Sequence, residues 1–328
     1  MFRSLSENTP RLVALGVVVL AFLIFPIVAP HAEYALDVLF LMFLYGAMAT
    51  SWNVLGGFTG QVSFGHAAFL GIGAYTTALL AAAGWPLWAT FPAGGLLAAL
   101  YSLLIGPPAF RLRGPYFAIA TIGIGEATRL IALNWSSLTG GASGVTLSAA
   151  PPATVQYYVS LGICAATVGA AAWIKRSRFG YALAAVRSDP DAAETLGVNT
   201  TIAKTQALFI SAFMLGFAGG AYAMHYLYVS PDSTFGFSTS ISLVIMPIIG
   251  GIGTIFGPLL GAAIFTALRE QLEANPFLAK YSLDLSVFGL LLCGIVLFEP
   301  RGLLGIFDRL VRRAGAKTPK ESVPNEQT

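Results

Sequence analysis

The residues that could do chemistry in this 328-residue chain are few, and their spacing speaks against catalysis. The three histidines, His31, His66 and His225, form no HExxH or comparable metal pattern. The two cysteines, Cys164 and Cys293, each stand in an apolar run with no neighbour at metal-ligand or redox spacing. None of the five lysines (Lys175, Lys204, Lys280, Lys317, Lys320) follows a glycine. The chain therefore lacks the Gly-Lys-Ser/Thr with which a P-loop grips phosphates. Gly71 and Gly73 make a G-x-G, but inside an apolar run where a phosphate loop has no place. No nucleophile is paired with a base. The expectation is no catalytic residue, no metal and no cofactor on this chain, with any energy from ATP entering through another subunit.

Other polar groups read as transport or packing groups. The stretch Gly56-Gly-Phe-Thr-Gly60-Gln-Val-Ser-Phe-Gly65-His66 interrupts two apolar spans. Polar, glycine-rich backbone at membrane depth is costly unless it is buried in protein or faces water, and such breaks often line transport routes. Asn53, Gln61, Ser63 and His66 are candidates to face a translocation path or a partner; a tightly packed glycine turn explains the same residues. Glu126 and Arg129 are three apart and can pair on one helix face. Intramembrane charges usually point inward, so Glu126 is a further path candidate or half of a structural pair. Asp37 and Asp284 stand nearer span ends.

The segment richest in local signals is 175–202. Asp189 is a good N-cap and Pro190 suits the first helical position. Asp191 and Glu194 place negative charge at the positive end of the helix dipole. Gly197 can take the left-handed conformation that ends a helix. Ala192, Ala193 and Leu196 share a small, partly apolar face, and the preceding Tyr181–Val186 stretch is helix-compatible. A capped helix of about eight residues, roughly 12 Å long, outside the spans reads as a docking element, with flanking charges such as Arg187 setting its register, or as a solvated connector.

The elements that position these residues follow from composition. Hydrophobic residues make up 56% of the chain and charged ones only 10%, against roughly a quarter in an ordinary soluble domain. Mean hydropathy is +0.75. A soluble globular enzyme of this size is excluded, and 12% aromatic content excludes a disordered chain. The net charge of +3 gives no reason to expect nucleic acid. A membrane helix needs about 20 apolar residues, and runs of that kind fall near 11–30, 34–55, 66–83, 87–107, 115–134, 154–174, 203–229, 239–268 and 281–298. The 239–268 run is long and broken by Gly250, Gly251, Gly253, Gly257 and Pro258, which reads as a hairpin. The fold expected is all-α and polytopic, with about ten transmembrane helices. Lys and Arg gather at the N-terminus, at Arg111 and Arg113, in 175–187 and in the tail; the loops between carry none. All four basic regions share one side if 239–268 crosses twice, so both termini are expected in the cytoplasm. Residues 1–310 are expected to form one transmembrane domain, followed by a polar, disordered tail at 311–328. The first run exceeds the core of a signal peptide and contains Pro30.

Several motifs carry a family resemblance. Asp191-Ala-Ala-Glu-Thr-Leu-Gly197 resembles the EAA-xxx-G signature of ABC-importer permeases, with Asp in the first place; the later Ile-x-Leu-Pro of that signature is missing. Ser51 through Tyr75, Arg113-Gly-Pro-Tyr-Phe-Ala-Ile-Ala-Thr121, Asn134-Trp135 with Leu138-Thr-Gly-Gly141, and Gly250–Thr254 with Gly257-Pro258 are similar to branched-chain amino acid ABC permeases. Their order resembles the LivM-type subunit more than its LivH-type partner, over roughly 40–305. The resemblance implies an ABC-importer permease fold, with Arg187, Asp189, Asp191, Ala192, Ala193, Glu194 and Gly197 coupling to an ATPase. It implies two ABC ATPase subunits carrying ATP and magnesium, a second LivH-like permease, a soluble periplasmic substrate-binding protein that the 135–153 loop would meet, and a bacterial inner membrane. Related systems carry urea, short amides or small aromatic acids. A stand-alone secondary transporter or channel is the alternative of another class, but it leaves the capped helix unexplained and lacks ionisable groups along a path.

Overall fold

The computed structural model describes residues 20–28, 32–273, 289, 290, 294, 302 and 303, and is mostly helical. Residues 20–28 are helical. Then come α1 (Glu33–Thr59), α2 (Ala67–Ala82), α3 (Leu87–Ala109), α4 (Pro115–Asn134), a helical turn α5 (Ser136–Thr139), α6 (Ala153–Arg176), α7 (Arg178–Ser188), α8 (Pro190–Thr195), α9 (Thr200–Tyr226), α10 (Pro231–Phe235), α11 (Phe237–Gly250) and α12 (Gly257–Glu273). Among the described residues six helices are long and apolar enough to cross a membrane: α1, α3, α4, α6, α9, and α10 with α11 taken across Gly236. At 16 residues α2 is shorter. Helices suit these runs because lipid offers the backbone no hydrogen-bond partner. The spans expected at 11–30 and 281–298, the tail at 311–328, and His31, Asp284 and Cys293 lie largely or wholly outside the described residues.

The core is built around α1. Every residue from Phe43 to Thr59 is buried, the pattern of a helix covered on all sides. It packs against α6, α7, α9, α11 and α12. The helix α9 in turn packs on α3 and α2. There Gly73, Gly94 and Gly216 bring three backbones together: a Cβ on Gly94 would lie 2.8 Å from the Gly73 carbonyl oxygen, and one on Gly216 2.8 Å from that of Gly94. Small residues permit such approach in membrane helices. By contrast α3 and α4 expose Leu96, Leu100, Leu104, Tyr116 and Ile119, the surface a bilayer would cover.

The 239–268 stretch doubles back, as the glycines require. The break after α11 sits beside the 175–202 loop, where Lys175 Nζ donates to the Gly253 carbonyl at 2.7 Å. Towards the far end of α12, Arg269 shares a cavity with Asp232, which precedes α11. The two helices pack on each other, and Gly261 lets α12 approach the backbone of Met246.

The 135–153 loop is tied back onto the helices. Its β1 (Val145–Thr146) pairs antiparallel with β2 (Tyr228–Val229), Val145 opposite Val229 and Thr146 opposite Tyr228. Thr139 Oγ1 also donates to the Ala132 carbonyl at 2.5 Å. Polar composition signals a loop, but pairing with a segment some eighty residues later is not written in local sequence.

Candidate functional site

The 175–202 end is locally well specified. Ser177 Oγ accepts from the Gly180 amide at 3.2 Å and starts α7. Asp189 Oδ1 accepts from the amides of Asp191 (2.9 Å) and Ala192 (3.1 Å) and starts α8. Gly197, at φ +86°, stops the helix. The amide of Val198 donates to the Ala193 carbonyl and that of Gly197 to the Glu194 carbonyl, each at 3.0 Å; these are the two bonds of a Schellman motif. Asn199 Oδ1 then caps α9 through the Ile202 amide at 3.0 Å. The result is a six-residue helix, shorter than the eight expected, fixed at both ends by its own sequence.

Its faces are not arranged as the small-residue reading had them. Ala193 is turned into the chain's own core at 2% exposure, so it is not part of an outward surface. Ala192 is exposed, and Leu196 is 82% exposed. Tyr181 on α7 is 71% exposed; the sequence reading passed over it, though a large aromatic among small residues was a usable signal. Asp191 pairs with Arg113 at 3.0 Å across the surface. Glu194 accepts the Thr200 hydroxyl at 2.5 Å.

Arg187 points inward. Its Nη1 donates to the Gly57 carbonyl at 2.5 Å, in the last turn of α1, where unsatisfied carbonyls favour a cation. Asn53, one turn earlier, reaches the break between α11 and α12. Its Oδ1 accepts from the Gly253 amide and its Nδ2 donates to the Thr254 carbonyl, both at 2.8 Å. Together with Lys175, these contacts tie the surface helices and the hairpin break to the end of α1.

The polar turn between α1 and α2 is a closed knot. Ser63 and His66 are 3% and 0% exposed. Trp52 Nε1 donates to the Ser63 carbonyl at 2.8 Å, and the Phe64 amide donates to Thr121 Oγ1 at 3.1 Å. His66 lies between Ser63 Oγ (2.9 Å, at Nδ1) and Ser211 Oγ (3.0 Å, at Nε2). Ser211 gives its proton to the Ser51 carbonyl at 2.6 Å. Nε2 must therefore be the protonated nitrogen of a neutral ring, and Nδ1 accepts from Ser63. Asn53, Ser63 and His66 thus spend their hydrogen bonds inside the chain; only Gln61 of that group is partly exposed.

A cavity of about 270 Å³ opens elsewhere, between α1, α9, α10, α11 and α12. Tyr45, Tyr222, Tyr226, Ser238, Thr239, Ser242, Asp232 and Arg269 give it polar groups; Met48, Leu243, Met246 and Phe265 give it an apolar wall. Arg269 Nη1 donates to Tyr45 Oη at 2.6 Å. Glu126 does not line the cavity and is joined to it only through charges: Arg129 pairs with Glu126 at 2.6 Å and with the lining Asp232 at 2.5 Å. A short apolar wall facing many hydroxyls and a pair of opposite charges is a lining that suits a small polar molecule with an apolar part. It draws on five elements, and no local pattern announced it. Among the described residues no three His, Cys, Asp or Glu gather as a metal site.

The family model described as branched-chain amino acid transport system, permease component, matches residues 34–296. The high-affinity branched-chain amino acid transport system permease protein LivM of Escherichia coli (strain K12) is 30% identical over 305 residues, covering 82% of this chain and 69% of that protein. LivM of Salmonella typhimurium is 29% identical over 307 residues, covering 82% and 70%. The permease protein LivH of Escherichia coli (strain K12) is 28% identical over 287 residues, covering 80% and 91%. No solved structure matches the chain.

Proposed function

The chain belongs to the permease family of branched-chain amino acid ABC transport systems, of LivM type, and from that premise we propose that it walls half of an amino-acid path and takes its drive through α8. It is a multi-pass, non-catalytic membrane component. Its partners are a second, LivH-like permease, two ATPase subunits that carry ATP and magnesium, and a soluble periplasmic binding protein. It sits in a bacterial inner membrane with both termini in the cytoplasm, as the basic loops require. Residues 1–310 form one transmembrane domain and 311–328 a cytoplasmic tail.

The observation that carries this reading is α8 itself: a helix capped at both ends by its own residues and presenting Ala192 and Leu196 to solvent outside the spans. Exposed apolar groups on a rigid polar loop mark a contact surface. The docking surface is Ala192 and Leu196 with Tyr181 beside them. Asp189, Asp191, Glu194 and Gly197 hold its shape, and Ala193 roots it. Closure of the ATPase dimer pushes α8, and Arg187 passes the displacement to Gly57 and the end of α1. Asn53 and Lys175 pass it on to the hairpin break. The cavity between α1, α9, α11 and α12 is this chain's wall of the path. Its hydroxyls and charges suit a zwitterion, and Met48, Leu243, Met246 and Phe265 suit an aliphatic side chain better than urea or a short amide.

The test is affinity purification of the tagged chain, expressed from its native operon, with mass spectrometry of what accompanies it. An ATPase and a second permease in stoichiometric amounts are expected. Leu196→Glu combined with Ala192→Trp is expected to lose the ATPase and keep the second permease. A chain that purifies alone in every mild detergent, or a double variant that keeps its ATPase, overturns the reading.

A further inference from the structure

Lys204 is out of place. It lies in the second turn of α9 at 7% exposure, and forms no hydrogen bond or ion pair with any described residue. A lysine so largely removed from solvent, with no carboxylate within ion-pair distance, is costly. The two carboxylates whose fields reach it, Glu194 and Asp191, are engaged elsewhere, by Thr200 and Arg113.

Lys204 opens into a cavity of about 250 Å³ that Arg111, Arg113 and Glu194 also line; with Arg113 paired to Asp191, Arg111 and Lys204 are left against Glu194. The start of the 27-residue α9 adds the Thr201 hydroxyl and the free amides of a helix N-terminus. The Arg111 guanidinium, the Lys204 point charge and those amides are a donor set for a tetrahedral oxyanion, with the Arg113 guanidinium beside them held by Asp191. The position narrows the source. The cavity lies where α3 ends at Ala109 and α4 and α9 begin at Pro115 and Thr200. Ends of spans lie at headgroup depth. On the same two helices Leu104, Tyr116 and Ile119 are exposed, as is Leu112 in the turn between them, a surface that acyl chains can cover.

We propose that this cavity binds a phosphate group presented by an anionic phospholipid, with Lys204 as its buried counter-charge and the lipid chains along α3 and α4. The bound headgroup then buttresses the N-terminal turn of α9 next to Glu194, so lipid composition reaches the surface helix without touching the path. The proposal rests on the chain being in a membrane, not on the docking of an ATPase.

The experiment reads lipid retention. The full chain, with whatever subunits accompany it, is placed in vesicles of equal parts phosphatidylglycerol and phosphatidylcholine. It is then re-extracted in mild detergent and the lipid it keeps is measured by native mass spectrometry. Phosphatidylglycerol is expected to be kept over phosphatidylcholine. Lys204→Met and the exposed Arg111→Gln are each expected to weaken retention roughly fivefold, and Lys204→Arg to preserve it. Arg111→Gln keeps the test valid if Lys204→Met fails to fold. Equal retention of both lipids, or wild-type retention in the Met and Gln variants, overturns the proposal. Release of the lipid by millimolar inorganic phosphate overturns the lipid as source. Retention seen only after accompanying subunits are stripped away also overturns it, since a protein carboxylate would then be the occupant.

Discussion

The turn at 60–66 and the loop at 178–199 are both polar, glycine-marked interruptions of an apolar chain, yet they satisfy their polar groups in opposite ways. In the turn, backbone and side chains are closed on themselves by Trp52, Thr121, Ser211 and His66. In the loop, each helix is closed by its own caps, and the apolar groups Tyr181 and Leu196 are left outside. The glycines differ in the same sense. A Cβ on Gly65 would lie 2.5 Å from the carbonyl oxygen of Thr121, whereas Gly197 has open space around it and is needed only for its φ of +86°. Polarity in a membrane protein therefore does not by itself mark a path. The loop differs in that its backbone is satisfied locally while apolar side chains are left exposed, the feature on which the proposed docking rests.

Substitutions can break this contrast or sharpen it. Gly65→Val has the largest expected effect, more than ~3 kcal/mol, because backbone cannot give way; the yield of monodisperse protein in detergent should collapse. His66→Ala should cost ~2 kcal/mol by stranding Ser63 and Ser211. Melting temperature should fall while transport per folded molecule holds; transport lost at unchanged melting would return His66 to the path. Gly197→Ala should cost ~1 kcal/mol of backbone strain and Asp189→Ala ~1 kcal/mol of lost cap. Both should appear as faster amide hydrogen exchange within 190–198 and not in α1. Leu196→Glu should change stability by less than ~0.5 kcal/mol and yet release the ATPase. If it melts the protein instead, Leu196 is a core residue and the contrast fails.

Much of the scaffold was legible because its causes are local. The run at 115–134 became α4 over Pro115–Asn134, and the cap at Asp189 and the stop at Gly197 stand where the residue types put them. The hairpin was readable from five breakers in thirty residues. What could not be read was which side of an element turns inward. The sequence gives Ala192 and Ala193 alike, and only the packing of α8 against α7 and α9 buries one of them. The candidate site was less legible still. Asn53 finds its partner 201 residues away and His66 finds Ser211 at a separation of 145, distances over which no periodicity speaks. The cavity at Tyr45 and Arg269 has the same origin, since α12 must return alongside α1 before it exists.

The clip between Asn53 and the 253–254 backbone also sets a problem of timing. The helix that carries Asn53 is apolar enough to enter a bilayer as soon as it is made, but the backbone that satisfies its carboxamide is synthesised 201 residues later. At ~5–20 residues per second that interval is roughly 10–40 s. Throughout it, α1 must hold an unmet amide in lipid or under a chaperone of the insertion machinery. Birth of the core is thus a late event, and nascent chains stopped short of residue 254 should be the ones that membrane quality control removes.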